Sequence, residues 1–143
     1  MAIKLHFELV PESCWYSNLR SALPPAVWNT IRKKVYARAN GKCMICSAPT
    51  RQLDAHEQWE YDDKNKIQSL KNVIAVCKNC HEVIHIGRTQ LMGREDFAIE
   101  HYKKVNGATY AEYKKALGEA NAIHRERSKH EWQLDVSNLT KFL

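Results

Sequence analysis

The feature that most constrains this chain is a repeated pair of cysteines, Cys43-x-x-Cys46 and Cys77-x-x-Cys80. A Cys-x-x-Cys places two thiolates on one tight knuckle, and two knuckles brought together complete the tetrahedral four-sulfur shell that Zn²⁺ takes in closed structural sites. Lys42 and Lys78 stand beside the knuckles and lower the electrostatic cost of gathering thiolates. A single Cys-x-x-Cys could equally be a thioredoxin-like redox pair. Two of them bracketing an insert of roughly thirty residues favour metal. The fifth cysteine, Cys14, stands alone and is expected to be a free thiol in the packing.

The rest of the composition fits one domain spanning residues 1–143. Hydrophobic residues make up 44% and charged residues 27%, with five glycines and four prolines, which excludes disordered and fibrous classes. The longest purely apolar stretches, such as Val73 to Cys77, run to about five residues where a membrane helix needs roughly twenty. The segment from Met1 to Val10 carries charges inside its apolar pattern and no cleavage site, so no signal peptide is visible and a cytoplasmic location is expected. Lysine and arginine give a net charge of +6, which suits a polyanionic partner such as nucleic acid.

The second knuckle continues as Cys77-Lys-Asn-Cys80-His81-Glu-Val-Ile-His85. If the chain is helical from Asn79 and stops at Gly87, His81 and His85 share a face and can reach one cation. Alternatively, His81 tops up the zinc shell, or one histidine is a satisfied polar group. Upstream, Leu53-Asp54-Ala55-His56-Glu57-Gln58-Trp59 alternates like a half-buried strand, with Leu53, Ala55 and Trp59 on one side and Asp54 and His56 on the other. Leu70-Lys71-Asn72 leads into a second short strand, Val73 to Val76. The expected order is knuckle, strand, strand, knuckle, helix.

At these residues the sequence resembles the HNH endonucleases. Asn72-Val-Ile-Ala-Val-Cys77-Lys-Asn-Cys80-His81-Glu-Val-Ile-His85 follows that family's Asn-x-x-x-x-Cys-x-x-Cys-His-x-x-x-His pattern, and Cys43 to Cys46 matches the first knuckle of its four-cysteine subclass. The intervals between His56, Asn72, His81 and His85 are also similar to those of nuclease colicins, which lack the knuckles. The run from His56 to Asp63 and the exit His85-Ile-Gly-Arg88 look like a bacterial and phage subgroup of uncharacterised HNH proteins.

The resemblance implies an α+β fold: a zinc-stabilised ββα-metal core over residues 43–88, with flanking helices and short N- and C-terminal strands. It implies a metal-dependent endonuclease that nicks DNA, with double-stranded DNA as the expected partner. Zn²⁺ on the four cysteines would be structural. A second divalent ion, Mg²⁺, Mn²⁺, Ni²⁺ or Zn²⁺, would sit at His56, His81 and His85, with Asn72 orienting strand or base and Asp54 supporting from behind. One catalytic metal implies one nick per site, so double-strand cleavage would need a homodimer or sequential nicking. The chain departs from the family in one place: where His-His or Asp-His is usual on the first strand, it has His56-Glu57, which puts Glu57 at the general-base position. A carboxylate with an unperturbed pKa near 4.3 is a weaker base than histidine, and in a regular strand it points away from His56. The competing expectation is a zinc-stabilised scaffold without catalysis that binds nucleic acid or inhibits a partner protein.

Outside the motif, residues 1–42 read as a strand and a helix. Ile3, Leu5, Phe7 and Leu9 alternate up to Pro11, with His6 exposed and inert. Pro24-Pro25 opens a helix with Val27, Trp28, Ile31, Val35 and Ala39 inward, ended by Asn40-Gly41. Arg32, Lys33, Lys34 and Arg38 on its polar face are candidate phosphate contacts or a solvated basic face. Residues 89–143 read as a helix from Arg94 to Asn106, a second opened by a Thr109-x-x-Glu112 capping box and running to about Ser128, and a strand through Trp132, Leu134 and Val136 returning to the N-terminal one. His101, His124 and His130 are expected to be surface or packing residues.

Overall fold

The structure, a computed structural model, describes residues 3–14 and 19–142, with the side chain of Arg20 excepted. An antiparallel hairpin organises it. Strand β1 (Leu53–Asp62) pairs with β2 (Ile67–Cys77), His56 facing Ile74 and Asp54 facing Val76, and the register skips Lys71 at a bulge between Gln58 and Trp59. β2 is longer than the apolar run that announced it, because its first half alternates buried Gln68 and Leu70 with more exposed Ser69 and Lys71 and is paired on both sides, with β1 and with the C-terminal strand.

Val73 to Cys77 are all buried, so this stretch lies between two layers, and its apolar run without alternation follows from that. On one face Val73 and Ala75 join Leu70 against helix α1 (Leu19–Ala22), helix α2 (Pro25–Ala39) and Phe142. On the other face Ile74 and Val76 belong to one core cluster with Val83 and Ile84 of α3 (Lys78–Ile84), Ile86 of α4 (Ile86–Leu91), Ala98 and Tyr102 of α5 (Glu95–Asn106) and Tyr113 of α6 (Tyr110–Arg127). Because side chains alternate along β1, His56 and Asp54 belong to the α3 side while Ala55 and Glu57 belong to the α2 side.

The capping signals hold. Asn40 closes α2 in the left-handed region at φ 52°, Gly107 closes α5 at φ 60°, and the Thr109–Glu112 capping box opens α6 with both reciprocal bonds. Gly87 does not end the first helix: α3 breaks at His85 (φ −98°, ψ 52°) and resumes at once as α4 through Gly87.

The two terminal strands need correction. The N-terminal segment from Leu5 to Val10 is not a strand. It lies across α3 and α5, held by the buried Asn106, whose Oδ1 accepts the N–H groups of Lys4 and Leu5 and whose Nδ2 donates to the Leu5 carbonyl, each at 3.0 Å. Its alternation reflects half-burial on helices, with Phe7 stacked on Tyr102 at 5.2 Å, rather than ladder pairing. The C-terminal strand is β3 (Gln133–Asp135), and it pairs in parallel with β2 from Ile67 to Ser69, not with the N-terminus. Cys14 is buried and unbridged, as its isolation predicted. Among the described residues no helix is long and apolar enough to cross a membrane.

Candidate metal centres

The first knuckle, Cys43 to Cys46, is a tight turn in which the N–H groups of Ile45 and Cys46 point at Cys43 Sγ, at 3.4 and 3.5 Å. The second is the start of α3, where Cys77 is the N-cap and its sulfur accepts from Cys80 N–H at 3.4 Å. β1 and β2 carry the chain out and back, so the four sulfurs lie within 4.8 Å of one another. Cys43 and Cys80 are 3.8 Å apart, as are Cys46 and Cys77. A tetrahedron with Zn–S bonds of about 2.3 Å has edges of about 3.8 Å, so this spacing fits zinc, whereas a disulfide needs about 2.05 Å. The four cysteines can therefore hold a metal ion in the closed manner of structural zinc.

Their electrostatics call for a cation. A hydrogen bond from Cys80, with further donors from the backbone, pulls Cys43 down to about 4. Burial and then the nearby Cys43 charge push Cys77 up to about 11, and Cys80, tied by its hydrogen bond to Cys43 and buried, is pushed up as well. Without a counter-ion only part of the set can ionise; a dication lets all four act as thiolates. His101 adds a contact that the spacing of the motif does not reveal. From α5 its Nε2 comes within 3.2 Å of Cys80 Sγ, half-buried against the knuckle rather than a surface residue. His124 and His130 conform to expectation: His124 Nε2 bonds the Val10 carbonyl at 3.1 Å, and His130 is exposed beside Glu126.

A second cluster is separate from the first. One ring nitrogen from each of His56, His81 and His85 lies within 4.8 Å of the others. β1 supplies His56 and α3 supplies His81; His85 stands at the helix break, its N–H still bonded to the His81 carbonyl at 3.1 Å, so the one-turn relation survives the kink. Ring centroids are 4.6 Å apart for His81 and His85, 5.3 Å for His56 and His85, and 5.8 Å for His56 and His81. Burial and then the neighbouring histidines lower His85 to about 3, and burial lowers His81 against the pull of Asp54, so both favour the neutral form that ligates metal. His81 is thus apart from the four-sulfur shell.

Carboxylates back this cluster. Asp54 Oδ2 is 2.9 Å from His81 Nδ1 and its Oδ1 is 2.7 Å from Lys78 Nζ. Burial alone would raise Asp54, but these two partners hold it below the usual carboxylate range. Glu8 supports the cluster from outside the 43–88 motif: its Oε2 is 2.7 Å from His56 Nε2, on a histidine only 5% exposed. In the sequence Glu8 shares the polar phase of an alternating segment with Lys4 and His6, and nothing in that pattern marks it as the partner of His56.

Glu57 stands away from the cluster, and Asn72 stands on the cluster's side of the hairpin. Glu57 faces the other side of β1, where its Oε1 accepts the Leu19 N–H at 3.2 Å. The strand is regular through this residue, opposite Val73, and the bulge begins only after Gln58, so nothing turns the carboxylate toward His56. Asn72 lies opposite Gln58 on the His56 face of the hairpin, two register positions along, and its Oδ1 accepts the Val73 N–H at 2.9 Å.

Beside His81 a groove of about 620 Å³ runs between α2 and the start of α3, lined by cationic Arg32, Lys78 and Arg88, by Trp28 and Tyr36, and by Asp54 and His81; His56 and His85 lie outside the lining. Arg32 is the member of the predicted basic face that reaches it. Arg38 instead packs its guanidinium 5.5 Å over the Phe142 ring, and Lys33 and Lys34 are exposed outside the lining. Compared with protein-family models, with curated proteins and with solved structures, the chain gives no match in any of the three.

Proposed function

We propose that the protein is a metal-dependent nuclease of the HNH type. The four cysteines hold structural Zn²⁺, and His56, His81 and His85 hold a divalent ion that acts on a DNA phosphodiester. The observation that carries this reading is the separation of the two clusters. Four thiolates would complete a closed shell, whereas three imidazoles would leave coordination positions open, and one of them, His81, lines a groove that carries cations. An ion held there would supply Lewis-acid stabilisation of the phosphoryl oxygens and acidify a water. The chain's own residues do the rest: Arg32, Lys78 and Arg88 hold phosphates, and Asp54 orients His81. Asn72, on the same face of the hairpin, stiffens β2 beside His56.

The position of Glu57 favours a second reading, in which the same groove binds nucleic acid without cutting it, because the residue at the general-base position is tied to Leu19. Supercoiled plasmid incubated with purified protein in Mg²⁺, Mn²⁺ or Ni²⁺ separates the two. Nicking that disappears with chelator and in His56→Ala is the expected result. Plasmid binding without nicking, by folded zinc-loaded protein, gives the second reading.

A further inference from the structure

We propose that Glu8 is the positioning residue for His56: by holding Nε2–H it presents Nδ1 to the ion shared with His81 and His85. The inference rests on the metal reading above and adds to it a residue from outside the 43–88 motif.

A carboxylate oxygen only accepts, so the ring nitrogen 2.7 Å from Glu8 Oε2 is the one that carries the proton, and the lone pair of His56 lies on Nδ1. His81 shows the complementary arrangement: Asp54 occupies its Nδ1 at 2.9 Å and leaves Nε2 free. Two acids from different parts of the chain therefore fix opposite tautomers on two rings whose centroids are 5.8 Å apart. Glu8 acts on the ring rather than as a ligand, since among the described residues the convergent group comprises His56, His81 and His85 without it.

The placement of Glu8 is built rather than incidental. Its N–H donates to the Ile84 carbonyl at 3.0 Å, the residue immediately before His85, so one short stretch of chain touches the supports of two of the three histidines. Asn106 clamps Leu5 upstream, and Phe7 is stacked on Tyr102. The His56 end of the bond is buried while the Glu8 side chain is 26% exposed, so loss of the bond leaves a buried ring N–H unpaired.

The test needs no nucleic acid. In the zinc-loaded protein, ¹⁵N-resolved NMR of the imidazoles is expected to show His56 as the Nε2–H tautomer. Titration with Co²⁺ or Mn²⁺ is expected to fill a second site that weakens about 10- to 100-fold in Glu8→Ala, and less in Glu8→Gln, whose amide oxygen still accepts. The ion on the four cysteines stays in both variants and reports that they are folded. Should Glu8→Ala not fold, Glu8→Gln and the wild-type tautomer still decide the matter. An Nδ1–H tautomer at His56, or a second-site affinity in Glu8→Ala equal to wild type, overturns the proposal. A wild-type protein that takes no second ion overturns this proposal and the metal reading together. Normal second-site binding without nicking sinks only the nuclease.

Discussion

Glu57 and His56 are adjacent in sequence and opposite in space: His56 meets Glu8 on the α3 side of β1, while Glu57 meets the Leu19 N–H on the α2 side. A strand with period two makes this unavoidable unless it is broken between the two residues, and the bulge falls two positions later with its extra residue, Lys71, on β2. Glu57 therefore works as a tether for the start of α1. Glu57→Ala is expected to destabilise the protein by about 1–2 kcal/mol through the orphaned Leu19 N–H, with second-ion affinity unchanged. Urea midpoints and a metal titration on the same variant check both halves. A folded Glu57→Ala protein that loses the second ion would return the residue to the site.

The contact between His101 and Cys80 sets a second expectation. With zinc bound, Cys80 is a thiolate and the ring N–H donates to it at 3.2 Å, spreading the sulfur's charge and steering its lone pair. His101→Ala is expected to release zinc to a competing chelator at about 10-fold lower concentration or less, without loss of helical content. Equal chelator resistance in wild type and variant would make the contact incidental.

Protonation of the histidine cluster gives a pH dependence whose sign is fixed. Burial lowers His85 from 6.5 to about 3, so between those values the unfolded chain binds a proton that the folded chain refuses. Its contribution to stability is present above about pH 6.5 and is lost as pH falls, at up to about 1.4 kcal/mol per pH unit. His81, shifted in the same direction, steepens the loss. Comparing wild type with His85→Gln at pH 7 and pH 5, both with zinc on the cysteines, is expected to show a larger drop in urea midpoint for wild type. Parallel drops would remove His85 from the account.

How far the sequence exposed this molecule depends on whether a feature is local. Knuckles, caps and the histidine turn are short-range patterns, and Cys43, Cys80, Thr109 and His85 act where their spacing put them. Alternation gave β1 its two faces and so contained the answer for Glu57, against the role suggested by resemblance. What could not be read is what tertiary packing alone decides. Leu5 to Val10 alternates as a strand would, yet finds helices and the Asn106 amide before any strand edge. Glu8 and His101 reach their partners across 48 and 21 residues, and no motif spacing encodes such distances. β3 pairs with β2 because the C-terminus of α6 delivers Gln133 beside Lys66, whose carbonyl takes its N–H at 2.9 Å.

The groove beside His81 yields the last prediction, because it divides the basic residues into two kinds. Arg32 and Arg88 line it together with Lys78, but Lys78 already serves Asp54 at 2.7 Å, so the two arginines are the cations most available to phosphate. Lys33 and Lys34, exposed on the same helix as Arg32 but outside the lining, share its sequence context without its position. In a binding assay run over a range of salt, Arg32→Ala and Arg88→Ala should each flatten the dependence of log K on log salt by about 0.9 for duplex DNA, one phosphate contact apiece. Lys33→Ala and Lys34→Ala should leave the slope nearly unchanged, although each removes the same unit of net charge. Equal effects from all four would mean that DNA responds to the overall +6 charge of the chain rather than to the groove, and the placement of the substrate next to His81 would fall with it.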